Sequence, residues 1–112
     1  MSYFKPSGAL PQEILDELVS RIVAATRPER IIQFGSAARG TMGPNSDVDL
    51  LVVKAGTYNK LHETQAIYLA LGEHPVAVDV VLVTPEEVDR LKDVHHCVVK
   101  PAVREGREVY AA

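Results

Sequence analysis

The run Val76-Ala77-Val78-Asp79-Val80-Val81-Leu82-Val83 is apolar at every position except Asp79, with none of the alternation that a half-wet strand shows. A strand dry on both faces needs cover on both, so this one is expected at a central position in a sheet carrying helices above and below. Asp47 to Val53 reads similarly: the Gly43-Pro44-Asn45 cluster before it is turn chemistry, and Val48, Leu50, Leu51, Val52 and Val53 favour a pleated, buried setting. A third short strand, Arg30 to Phe34, is closed by Gly35.

Helices fill the intervals. Ile14, Leu15, Leu18, Val19, Ile22 and Val23 recur at three-and-four spacing between Pro11 and Pro28, which gives one helix with one apolar stripe for core packing. A second helix is expected from Tyr58 to Leu71, broken by Pro75. Thr84-Pro85-Glu86-Glu87 is a capping box with proline at the first helical position, so a third begins there. Val94 to Glu105, with Pro101 inside it and Gly106 at its end, is expected as a further helix, and Glu108 to Tyr110 as a last short strand. Ser36 to Gly40 reads as a tight turn opening a brief helix. The class that follows is α/β (α+β), a small mixed β-sheet flanked by helices, with a single domain over residues 11–112 behind a flexible leader at residues 1–10.

Composition removes several function classes. With 12 Lys and Arg against 15 Asp and Glu, there is no basic excess to compete with the counterions of a nucleic-acid backbone. Cys97 is the only cysteine, so no internal disulfide forms, and no apolar run reaches the roughly 18 residues of a membrane span. The expected setting is cytoplasmic, with no direct nucleic acid and no membrane among the partners.

The chemistry gathers in Gly35-Ser36-Ala37-Ala38-Arg39-Gly40 and, after Thr41 to Asn45, in Ser46-Asp47-Val48-Asp49. Gly35 at a strand end lets backbone approach a ligand closely, and Ser36 with the amides up to Gly40 stands where a helix N-terminus favours anions. Arg39 adds a planar cation suited to phosphate oxygens. Asp47 and Asp49, two apart on a strand, share a face with α-carbons about 6.6 Å apart, a spacing fit for Mg²⁺, which takes few carboxylates and completes its shell with water and substrate phosphates. Asp79, expected to be buried, needs compensation there; if its strand lies beside the second one, it joins Asp47 and Asp49 in a cluster whose repulsion a metal relieves. Two metals about 3.5–4 Å apart would then activate an attacking oxygen and stabilise a leaving pyrophosphate.

Other candidates carry less. A lone Gly-Ser is ordinarily a turn and a lone Asp-x-Asp a solvated strand end; their combination with a later carboxylate is what points to function. Ser46 reads as a turn hydroxyl. The adjacent side chains of His95-His96-Cys97 do not share a helix face and have no second ligand pair, while His62 and His74 stand alone. Tyr58, Tyr68 and Tyr110 fit amphipathic burial better than base stacking.

Gly-Ser, ten residues, Asp-x-Asp and a third aspartate on a later strand resemble the polymerase-beta-type nucleotidyltransferase superfamily, and within it the minimal nucleotidyltransferases, the antitoxins of HEPN/MNT toxin–antitoxin pairs. The likeness runs from Arg30 to Glu105-Gly106-Arg107-Glu108-Val109-Tyr110. It implies a nucleotidyltransferase fold, ATP as substrate, Mg²⁺ (two ions) as cofactor, Gly35 and Ser36 on the triphosphate, Asp47 and Asp49 on the metals, and Asp79 as third ligand and base for the acceptor hydroxyl. Ala37 departs from the pattern: many minimal members carry arginine there, and here only Arg39 remains.

The expected reaction is transfer of AMP from Mg-ATP to a hydroxyl, the acceptor oxygen attacking the α-phosphorus in line as pyrophosphate leaves. The chain's length is expected to leave no room for an acceptor-binding domain, so the acceptor comes with a partner. By resemblance that partner is a HEPN-type helical toxin and the acceptor one of its tyrosines, within a hetero-oligomer. Two alternatives stand beside it: an antitoxin that neutralises by binding alone, and a small-molecule nucleotidyltransferase working with a separate helical subunit.

Overall fold

In the computed structural model, residues 11–35, 48–73, 76–94, 97 and 99–112 are described. Within them the chain runs α1 (Gln12–Thr26), β1 (Arg30–Phe34), β2 (Val48–Val53), α2 (Lys60–Leu71), β3 (Val78–Val83), α3 (Pro85–Leu91), α4 (Val99–Glu105) and β4 (Arg107–Ala111). The strands form one mixed sheet in the order β3-β2-β1-β4. β1 pairs antiparallel with both β2 and β4, whereas β2 and β3 are parallel, joined through α2 as a crossover.

Each face of the sheet has its own core. Leu15, Leu18 and Ile22 of α1 and Ile67 and Leu71 of α2 pack on Ile31, Val48, Leu50, Val52, Val78 and Leu82. On the other face, Val88 of α3 and Val99 and Ala102 of α4 pack on Ile32, Phe34, Leu51, Val53 and Val83. β2 is therefore sandwiched, and its unbroken apolar run is the sequence of a strand with no wet side. The α/β class, the mixed sheet and the α1 stripe stand as expected.

Local chemistry sets the helix limits. α1 ends where Arg27 turns left-handed at φ 49°, just before Pro28. α2 begins two residues later than Tyr58, because the Asn59 side chain accepts from His62 N–H at 3.0 Å and caps it. The Thr84–Glu87 capping box forms in both directions, at 3.1 and 2.9 Å.

Three expectations change. The strand around Asp79 starts at Val78 and lies at the edge of the sheet, not its centre; β2 and β1 hold the middle. Its apolar run reflects cover from both helical layers, and one flank is dressed instead by Tyr68, whose hydroxyl accepts from Val80 N–H at 2.8 Å. The last helix begins at Val99 rather than Val94, and Val94 and Cys97 lie outside it, so Pro101 falls in its first turn, where proline is tolerated. The final strand is longer than expected, Arg107–Ala111. The leader at 1–10, the turn from Ser36 to Gly40, His74, Pro75, His95 and His96 lie outside the described residues.

A polar clamp ties α1, β2 and α2 together where β2 ends. The Thr26 hydroxyl donates to Glu63 at 2.5 Å, Lys54 Nζ donates to the Thr26 carbonyl at 2.5 Å and lies 3.4 Å from the Glu63 carboxylate, and Tyr58 O–H donates to the Lys54 carbonyl at 2.8 Å. The Thr26 hydroxyl first, and Lys54 after it, hold the Glu63 carboxyl below its ordinary value against the opposing effect of burial. Burial above all, with Glu87 and Glu63 adding, raises the Tyr58 phenol.

Two predictions follow from this packing. A Cβ on Gly106 would overlap the Ala102 carbonyl and the Ile32 side chain, so Gly106→Ala should destabilise by about 1–3 kcal/mol in urea unfolding. An unchanged midpoint would mean that β4 moves freely off β1. Since the folded Glu63 pKa is depressed, its stabilisation is present above the unfolded value near 4.5 and is lost as pH falls through the folded one. Glu63→Gln should therefore lower stability at pH 7 and flatten the acid limb of the stability–pH curve; equal acid slopes would contradict the assignment.

Candidate active site

Register gathers the carboxylates. β1 and β2 are antiparallel, so the end of β1 meets the start of β2, with Phe34 opposite Asp49. β2 and β3 are parallel, so their starts lie together, with Asp49 in register with Asp79. Adjacent strands stand about 4.8 Å apart, and residues in register point to the same face. That face is the one covered by α3 and α4, since Leu51, Val53, Val81 and Val83 have the same parity and pack there.

The sequence placed Asp79 beside Asp49 on condition that their strands were neighbours, and they are. The reason given for its importance changes: Asp79 is exposed and Asp49 half-buried, so burial does not itself require a metal to compensate the Asp79 carboxylate. Phe34, buried opposite Asp49, lines the dry side of the pair. Carboxylates side by side at an exposed strand end are hard oxygen donors of the kind Mg²⁺ takes, so the donor chemistry fits a divalent cation. Of the other sequence candidates, Asp47, Ser36, Arg39 and Gly40 lie outside the described residues. No group of three or more His, Cys, Asp or Glu suited to a metal occurs among the described residues.

Gly35 is where the structure adds most. It ends β1 at φ 77°, and the Asp49 carboxylate fills the space where a side chain on residue 35 would stand. The pattern Gly-Ser announces a tight backbone approach to a ligand; contact between that glycine and an aspartate fourteen positions on has no local signature and comes only from the β1–β2 pairing. The Thr26–Lys54–Glu63 clamp was also invisible, its members joined only by the packing of α1 on α2.

Against this geometry, the model of the nucleotidyltransferase domain matches residues 12–105, spanning both the Gly35 turn and all three aspartates. The chain belongs to the nucleotidyltransferase domain family. Its chemistry is therefore nucleotidyl transfer. Among solved structures, a Sulfolobus solfataricus protein proposed to be a nucleotidyltransferase is 26% identical, with TM-score 0.53 over 72% of this chain and 73% of that one. A mutant of the toxin–antitoxin MntA-HpeT is 21% identical, with TM-score 0.56 over 92% of this chain and 75% of that one, a likeness of fold. No curated protein matches the chain. None of the helices among the described residues of this nucleotidyltransferase is long and apolar enough to cross a membrane.

The exposure of Asp79 generates a prediction about folding. Exposed polar substitutions ordinarily move stability by no more than about 0.5 kcal/mol, so Asp79→Asn should unfold in urea within that margin of the parent. A loss several times larger would make Asp79 a structural residue rather than a site residue.

Proposed function

We propose that this nucleotidyltransferase transfers AMP from Mg-ATP to a hydroxyl, a tyrosine of a partner HEPN-type toxin, and thereby acts as its antitoxin in the cytoplasm. The observation that carries the proposal is the in-register pair Asp49 and Asp79 beside Gly35, three strand ends converging on one exposed edge. An exposed carboxylate suits an acceptor presented by another macromolecule, since nothing about Asp79 requires the acceptor to be small enough to enter a closed cavity. The fold shared with the toxin–antitoxin MntA-HpeT supports the toxin as partner.

In this reading Asp47, Asp49 and Asp79 hold magnesium, which supplies charge neutralisation on the phosphates and a lowered pKa for bound oxygen. Ser36 and Gly40 offer hydroxyl and backbone donors to the triphosphate, and Arg39 offers a planar cation. Asp79 accepts the proton of the acceptor hydroxyl as its oxygen attacks the α-phosphorus; the bond to the bridging oxygen breaks and pyrophosphate leaves. Positioning of the acceptor falls to the partner, because the carboxylate edge is open rather than roofed at Asp79.

The test is the intact mass of the helical partner after incubation with this chain and Mg-ATP. One or more AMP additions are expected, reduced at least about a hundredfold in rate by Asp49→Asn or Asp79→Asn in folded protein. Full transfer by either variant would refute the mechanism. An unmodified partner held in a stable complex would favour neutralisation by binding, and label on a metabolite would favour a small-molecule acceptor.

A further inference from the structure

Gly35 meets one side chain only at its closest approaches. A Cβ built there would overlap Oδ2 of Asp49 and stand 3.3 Å from its Cγ and 3.6 Å from its Cβ, so its three nearest neighbours all belong to that aspartate. The other described glycines differ in kind. Gly56 would meet nothing within 4 Å, Gly72 only the far end of Arg21 at 3.8 Å, and Gly106 the backbone of Ala102. A side chain at 106 presses on rigid backbone, whereas one at 35 presses on the end of another side chain, which gives by rotating its own torsions.

We propose that Gly35 is a positioning residue for Asp49: by lacking a side chain it keeps open the space that the carboxylate occupies at the end of β1, and so sets the affinity of the site for its divalent cation. This rests on the reading of Asp49 as a metal ligand. It differs from a role in phosphate approach, where the glycine would serve the nucleotide directly and owe nothing to Asp49. The register explains why the two residues meet: Phe34, the last residue of β1, is paired with Asp49, so the residue that follows turns across the start of β2 where that carboxylate projects. The left-handed φ of 77° serves the same turn and disfavours a side chain independently.

The two roles separate in a double-mutant cycle with Gly35→Ala and Asp49→Ser. Mn²⁺ binding is followed by electron paramagnetic resonance with a non-hydrolysable ATP analogue present, and ATP binding by calorimetry in EDTA. Gly35→Ala is expected to weaken Mn²⁺ binding about tenfold or more while shifting metal-free ATP binding less than about twofold. With Asp49→Ser already in place, the same change should add less than about twofold. Equal losses in both backgrounds, or a matching loss of ATP affinity in EDTA, would overturn the proposal in favour of a phosphate cradle. If Gly35→Ala does not fold, Gly35→Asn repeats the test with the same Cβ on a residue that accepts positive φ more readily. A parent protein that binds no Mn²⁺ would overturn both this inference and the reading of Asp49, whereas Mn²⁺ binding that Gly35→Ala leaves unchanged would overturn this inference alone.

Discussion

The register of β2 against its two neighbours holds both the core and the site. Every second residue of this strand faces α1 and α2, and the alternates face α3 and α4, so Leu50 and Leu51 lie in different cores. A slip of one residue would move Asp49 from the strand end facing α3 and α4 into the layer of Val48, Leu50 and Val52, where an unpaired carboxylate costs several kcal/mol. The same slip would separate Asp49 from Asp79 and from Gly35. The apolar residues of β2 therefore specify the position of its one charge, and packing specifies chemistry without either group of residues doing the other's work.

How much of this the amino-acid sequence disclosed follows from how local each signal is. Helix periodicity, the Thr84–Glu87 capping box and the extent of β1 are encoded within a few residues of one another, and those elements form where the sequence puts them. The pairing of Asp49 with Asp79 was legible in part, since two apolar runs each bearing one carboxylate make sense as neighbours. What failed was the inference from an all-apolar strand to a central one. Helices cover both faces of β3 as they would cover a middle strand, and its free flank is met by the Tyr68 hydroxyl, a contact between residues twelve apart that no period in the sequence announces.

For the transfer proposed above, that edge position matters. A carboxylate in the middle of a closed sheet end would admit only a slender acceptor, whereas Asp79 on the outermost strand faces water and can be approached from the side. Edge strands are also where sheets pair with foreign chains. Here Tyr68 occupies the outward N–H of Val80, directly after Asp79, and so takes one of the hydrogen bonds a pairing strand would need. The arrangement leaves the carboxylate reachable while making the backbone beside it a poorer template for strand addition.

The Lys54 clamp and the proposed site lie at opposite ends of the sheet. β2 carries Asp49 near its start and is followed by Lys54, whose ammonium joins the Thr26 carbonyl, the Glu63 carboxylate and the Tyr58 ring, 5.6 Å from its centroid. At that end charges are matched with partners, the Glu63 pKa is depressed and the Glu87 carboxyl is likewise held down, by Lys60 first and the Thr84 backbone next. At the other end the carboxylates of Asp49 and Asp79 lie in register, the placement that the proposed cation would use. The Lys54 end anchors α1, β2 and α2, so the strand carrying Asp49 is fixed five residues away by contacts that do not depend on a ligand.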